Sequence, residues 1–278
     1  MESSIDRRAL GRWLGLSCLA AAAGRSLPRA AAAEPQPAAS AAMPAPSGEA
    51  KLRIGMVIYN GMTTLDFAGP DDVFARPPGT KTYVLAKNLD PVVTDSQGRI
   101  LPDLALRDAP ELDVLFIGGG GGVAALMEDG EVLDFFRARA GTAKWVTSVC
   151  TGALVLGAAG LLRGYKAVTH WSAMEYLSAF GAIPTKTRVC IDRNRVTGGG
   201  VTAGIDFALT LVSIMVDRRT AEAIQLRLEY NPSPPFNSGS PDTAPSDVLA
   251  LINERIAPSR SRRGQAIQRA AARLTASA

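Results

Sequence analysis

From residue 51 onward the chain alternates short, nearly uninterrupted apolar runs with longer segments whose apolar residues recur at helical spacing. The runs at 52–59 (LRIGMVIY), 81–87, 112–117 (LDVLFI) and 145–149 (WVTSV) are β-branched and aliphatic, as strands covered on both faces require. Helical spacing predicts helices over 65–74, 131–140, 152–159, 172–180, 203–216, 220–230 and 246–256. Shorter polar-punctuated runs predict a hairpin from 92–94 and 100–101, a strand at 167–170, and a strand pair at 188–191 and 195–197 about the turn 192–194. Strands and helices alternating in this way form βαβ units, hence one α/β domain with a doubly wound, mostly parallel sheet. Ligands of such sheets collect beyond the carboxyl ends of the strands. That rule gathers the glycine run 118–122, Cys150 and His170 on one edge.

The stretch 144–162 (KWVTSVCTGALVLGAAGLL) passes from strand to helix with no loop between them. Cys150 stands at the turn, which is nucleophile-elbow geometry. A helix start favours thiolate over thiol, so Cys150 is expected to be partly ionised near neutrality and more reactive than Cys190. The competing reading is a buried structural cysteine. The five glycines Gly118 to Gly122 allow close backbone approach, and their N–H groups are candidates for holding developing negative charge. A flexible turn is the alternative. A dinucleotide fingerprint is met only trivially by a glycine run, and Gly122-Val123-Ala124 excludes a P-loop.

Composition is ordinary for a globular protein: 278 residues, 47% hydrophobic and 20% charged. The net charge of +4 comes largely from arginines near the two ends, so it argues little for nucleic acid. Three cysteines and the single histidine, His170, exclude a disulfide framework and a His-rich metal centre, and no CxxC spacing suggests zinc. Residues 1–50 read as a leader and linker: Arg7-Arg8, an apolar stretch too short to span a membrane, small residues at Ala30 to Ala33, then a Pro/Ala/Ser-rich segment. This predicts twin-arginine-type export to the periplasm, with a mature chain starting near Glu34 and no membrane anchor. The alternative is a cytoplasmic protein with an early start codon. The α/β domain is placed at 51–257 and a basic Arg/Ala-rich tail at 258–278.

Several motifs taken together carry a family likeness. Val149-Cys150-Thr151-Gly152-Ala153, Ala159-Gly160-Leu161-Leu162, Thr169-His170-Trp171, Leu65-Asp66-Phe67-Ala68-Gly69-Pro70 and Thr197-Gly198-Gly199-Gly200 resemble the ThiJ/PfpI superfamily. With Leu228-Glu229-Tyr230-Asn231-Pro232 and Pro234-Pro235-Phe236, they resemble its isonitrile hydratase branch. The resemblance implies a flavodoxin-like homodimer that needs no cofactor and takes a small-molecule substrate. It implies Cys150 as nucleophile, Asp66 as the assisting acid and Thr151 as a hydroxyl contact. Gly119, Gly120, Gly121 and His170 are then the candidate substrate and oxyanion contacts. The implied reaction adds water to an isonitrile carbon and yields an N-substituted formamide. Asp66 stands where many members of the superfamily carry glutamate, and Thr151 where the proteolytic members carry histidine. Two other readings stay open: a non-catalytic regulatory binding domain, and a glyoxal- or stress-related cysteine enzyme.

Overall fold

The computed structural model describes residues 51–276. The expected leader, export signal and linker at 1–50 lie outside the described residues.

The first strand, β1 (Leu52–Val57), lies mid-sheet, between β2 (Thr80–Ala86) on one side and β6 (Val114–Ile117) on the other, both parallel to it. Beyond β2 the sheet ends in the short parallel edge strand β5 (Leu104–Ala105). Beyond β6 come β7 (Trp145–Val149) and β11 (Arg195–Gly198), both parallel, and then β10 (Val189–Asp192), antiparallel, at the far edge. The order β10-β11-β7-β6-β1-β2-β5 makes a doubly wound, mostly parallel sheet, as expected. The strand order reverses between β1 and β6, and a crevice opens at such a switch point. Two small sheets stand outside: the expected hairpin β3 (Val92–Val93) with β4 (Arg99–Ile100), and β8 (Lys166–Ala167) with β9 (Ile183–Pro184).

Alternation along the strands sorts side chains onto the two faces. Ile54, Met56, Val114 and Phe116 face one side with Phe74 of α1 (Thr64–Phe74) and Phe207 of α5 (Ala203–Met215). Phe116 and Phe207 stack at 5.7 Å, and Phe74 meets both edge-on. On the other face Val57, Leu115 and Ile117 pack with α3 (Gly130–Ala140) and α4 (Gly152–Ala158), next to α2 (Val123–Leu126). Burial on both faces is why these strands read as continuous apolar runs. The helix α6 (Arg218–Arg227) follows α5.

Three elements depart from expectation. The strand expected at 167–170 is only β8 and lies outside the main sheet, so His170 is not at the end of a main-sheet strand. The helix expected at 172–180 is a 3₁₀ segment, Trp171–Phe180, which packs so closely on α4 that a Cβ at Gly157 would strike the Phe180 ring. The last helix, α7 (Ser246–Ala276), does not stop at 256. It continues through Pro258, so the expected domain boundary at 257 falls inside it. Pro258 lacks one backbone donor and reads in sequence as a stop. The second half of α7 is nonetheless held, because Ala266, Ile267 and Ala270 are buried in the core.

Candidate active site

Three loops meet at the switch point: the start of α1 after β1, the glycine run after β6, and the elbow after β7. β7 ends at Val149 and α4 begins at Gly152, so only Cys150 and Thr151 are left to turn the chain; Thr151 already has helical angles, and Cys150 makes the bend at φ 56. That left-handed conformation is uncommon for a residue other than glycine. It is fixed by hydrogen bonds: Cys150 N–H donates to Gly199 O at 2.8 Å and Gly198 O at 3.1 Å, and Thr169 Oγ1 donates to Cys150 O at 2.7 Å. Gly152 cannot carry a side chain, because a Cβ would lie 2.5 Å from Ile117 O.

Asp66 arrives on the first turn of α1, with no part of it exposed to solvent. Its Oδ2 accepts from Gly119 N–H at 2.7 Å, while Oδ1 is buried with no hydrogen-bond partner. Burial pushes the carboxyl up to about 6; the Gly119 N–H and the adjacent Cys150 thiol hold it down only in part. The thiol in turn is pushed well above its usual range, first by burial and then by the Asp66 charge, against a smaller pull from the Thr151 N–H. This corrects the expected part-ionised thiol. The helix behind Cys150 is one of 7 residues, and its favourable end is outweighed by desolvation and a carboxylate neighbour. The resting pair at neutral pH is therefore thiol and carboxylate, sharing one labile proton.

Cys150, Asp66, Thr151 and the glycine run come together as expected, but the glycine N–H groups are largely committed. Gly119 N–H holds Asp66, and Gly120 N–H donates to Thr151 Oγ1 at 3.0 Å. Gly120 (φ 139) also bridges Met62, which ties the run to the start of α1. The run thus positions the acid and Thr151 in addition to lining the site with Gly120 and Gly121. His170 lines the same cavity without bonding Cys150. Its Nδ1 accepts from Ser172 N–H at 3.3 Å and lies 2.8 Å from Ser172 Oγ, which places the ring proton on Nε2. Burial, helped by the charge of Arg263, brings His170 down to about 4, so it is a neutral polar wall at pH 7.

The cavity at Cys150 holds about 210 Å³, and a larger one of about 590 Å³ shares His170 and Val201 with it. The smaller is the one that contains the thiol. Sequence reasoning missed four contributors. Tyr59, at the carboxyl end of β1, donates from its hydroxyl to Gly118 O at 2.9 Å, and Thr169 anchors the elbow. Both could have been read from their place after a strand and within the Thr-His-Trp run. Val201 and Arg263 carry no such signal; Arg263 comes from α7, beyond Pro258. Among the described residues no group of three or more metal-ligating side chains gathers.

An elbow cysteine on a flavodoxin-like sheet, with a buried carboxyl beside it and glycine N–H groups around it, defines a class of cysteine-centred α/β proteins. Within that class, residues 52–214 match the model of the DJ-1/PfpI family, and the chain belongs to that family. It is 50% identical to the isonitrile hydratase of Pseudomonas putida over 223 residues, covering 80% of this chain and 98% of that protein. A crystal structure of a ThiJ/PfpI family protein from Pseudomonas syringae superposes with a TM-score of 0.77 at 44% identity, covering 82% of this chain and 98% of that one. The transcriptional regulator GbdR of Pseudomonas aeruginosa is 35% identical over 134 residues, but only 36% of that regulator is matched.

Proposed function

We propose that the protein is an isonitrile hydratase, adding water to an isonitrile to give an N-substituted formamide without a cofactor. The observation that carries this is the Asp66 carboxyl buried beside the Cys150 thiol, with Oδ2 on Gly119 N–H and Oδ1 free of any other partner to exchange a proton. Extended likeness to a hydratase supports the choice of reaction.

Asp66 takes the Sγ proton and delivers it to the lone pair of the isonitrile carbon as the thiolate adds there. The product is a thioimidate, R–N=CH–S, bound to Cys150. Asp66, again a carboxylate, removes a proton from water; hydroxide adds to the thioimidate carbon and the nitrogen takes up that proton. The tetrahedral species then loses its hydroxyl proton to Asp66, forms the formamide carbonyl and expels sulfur, which recovers its proton from Asp66. Thr151 N–H steadies the sulfur, and Thr151 Oγ1 keeps the glycine run in place.

The regulatory reading is less favoured because the likeness to GbdR covers 48% of this chain at 35% identity, against 80% at 50% identity for the hydratase. The glyoxal reading would use the same thiol and is separated from hydration by substrate alone. Intact-mass analysis after rapid acid quench tests the covalent route. The expected species is wild-type protein plus one isonitrile, with the added mass on the peptide containing Cys150; hydration without any such adduct would sink the covalent step.

A further inference from the structure

The wall that α7 adds to the Cys150 cavity carries a charge with nothing to answer it. Other arginines of α7 fasten the helix to the body: Arg260 pairs with Glu175 at 3.0 Å, Arg269 with Glu128, and Arg273 donates to Met127 O at 2.9 Å. Arg263 lies between them, half-buried, and lines the cavity with Ile256 and Ser259 opposite Cys150. Its Nε is buried without a hydrogen-bond partner, and among the described residues no carboxylate stands within ion-pair distance. The guanidinium charge nevertheless reaches the site, since it contributes to keeping His170 neutral. A desolvated guanidinium is unfavourable unless something completes it, and its planar fork matches a carboxylate. The space is also small, below the roughly 300–1,000 Å³ of sites for drug-sized ligands.

We propose that Arg263 is the anchor for an anionic group on the substrate, so that the preferred substrates are small isonitrile carboxylates and the products are N-formyl amino acids. The inference rests on the hydration reading and narrows it. For the simplest case, isocyanoacetate and water give N-formylglycine: the isonitrile carbon gains a hydrogen and the oxygen, the nitrogen gains a hydrogen, and nothing leaves. The carboxylate sits on Arg263 while the isonitrile carbon faces Sγ.

The test compares kcat/KM for isocyanoacetate and for its methyl ester on the full-length wild-type chain, Arg263→Lys and Arg263→Met. A charge-assisted, bidentate contact is expected to favour the acid by about tenfold or more in the wild type. Arg263→Met should erase that ratio, mainly through KM for the acid, and Arg263→Lys should keep part of it. A wild-type preference for the ester, or a ratio that Arg263→Met leaves unmoved, overturns the proposal. Equal losses on both substrates overturn it too, because the guanidinium would then be acting on the thiol. If neither isonitrile is turned over, the hydration reading fails by itself, and calorimetry with N-formylglycine decides the anion site. Binding about tenfold tighter to wild type than to Arg263→Met upholds it; equal or absent binding rejects it.

Discussion

Asp66 raises the affinity of the Cys150 thiol for a proton, while the thiol lowers that of Asp66, and this coupling sets what single substitutions do. Because the Asp66 charge holds the thiol up, Asp66→Asn should speed iodoacetamide alkylation of Cys150 at pH 7 to 8 while slowing hydration by roughly 10²–10⁴-fold. A variant that loses both activities together would point to collapse of the site instead. The same substitution bears on stability. Asp66 moves from an ordinary 3.8 up to about 6 on folding, so its burial is tolerated fully below pH 4 and opposed as pH rises through 6, by up to about 3 kcal/mol. Asn retains an oxygen for Gly119 N–H. Denaturant melts should therefore find Asp66→Asn more stable than wild type at pH 7.5, with the advantage shrinking between pH 6 and 4. The kcat/KM of the wild type should fall on the acid side with an apparent pKa near 6, a property of the pair. In sequence, Cys150 and Asp66 could be found from their motifs, but not which of them holds the proton. That depends on burial and on the partner of Asp66 Oδ2, neither of which has a local signature.

The elbow shows how an element was legible while its neighbours were not. WVTSV and GALVLGA leave only Cys150 and Thr151 between them to turn the chain, and the structure places Cys150 at φ 56. Left-handed backbone costs a side-chain-bearing residue about 1–2 kcal/mol relative to its usual conformations. Cys150→Gly should accordingly be at least as stable as Cys150→Ala by chemical denaturation, the reverse of the ordering inside a helix or strand. Both should be inactive, so stability and not rate is the readout; a glycine variant clearly weaker than the alanine variant would deny the strain. The glycine run was legible as close-packed backbone, yet its partners Asp66, Thr151 and Met62 come from distant elements that periodicity does not connect. The segment 171–180 has helical spacing, and only contact with α4 reveals its tighter 3₁₀ course. Pro258 hid the length of α7, since the burial that carries the helix past it lies further on, at Ala266 and Ile267.

For the whole molecule, the parallel sheet and its switch point follow from the order of apolar runs, whereas the wall over the site comes from α7, which no motif announces. The surface leaves Leu226 82% and Phe236 76% exposed, large apolar side chains that a self-association face would cover. We propose a homodimer; light scattering at micromolar concentration should return twice the chain mass, and a monomer would refute it. Export through residues 1–50 is likewise a proposal, which the amino-terminal mass of protein from the native host decides. The central claim is that the thiol–carboxyl pair hydrates isonitriles and does not serve glyoxal chemistry. The most direct measurement follows consumption of an aliphatic isonitrile and of methylglyoxal by one preparation, with Cys150→Ser alongside. The expected result is conversion of the isonitrile to its N-substituted formamide, loss of that conversion in Cys150→Ser, and methylglyoxal left unconsumed. Methylglyoxal turned over by wild type while the isonitrile persists would contradict it.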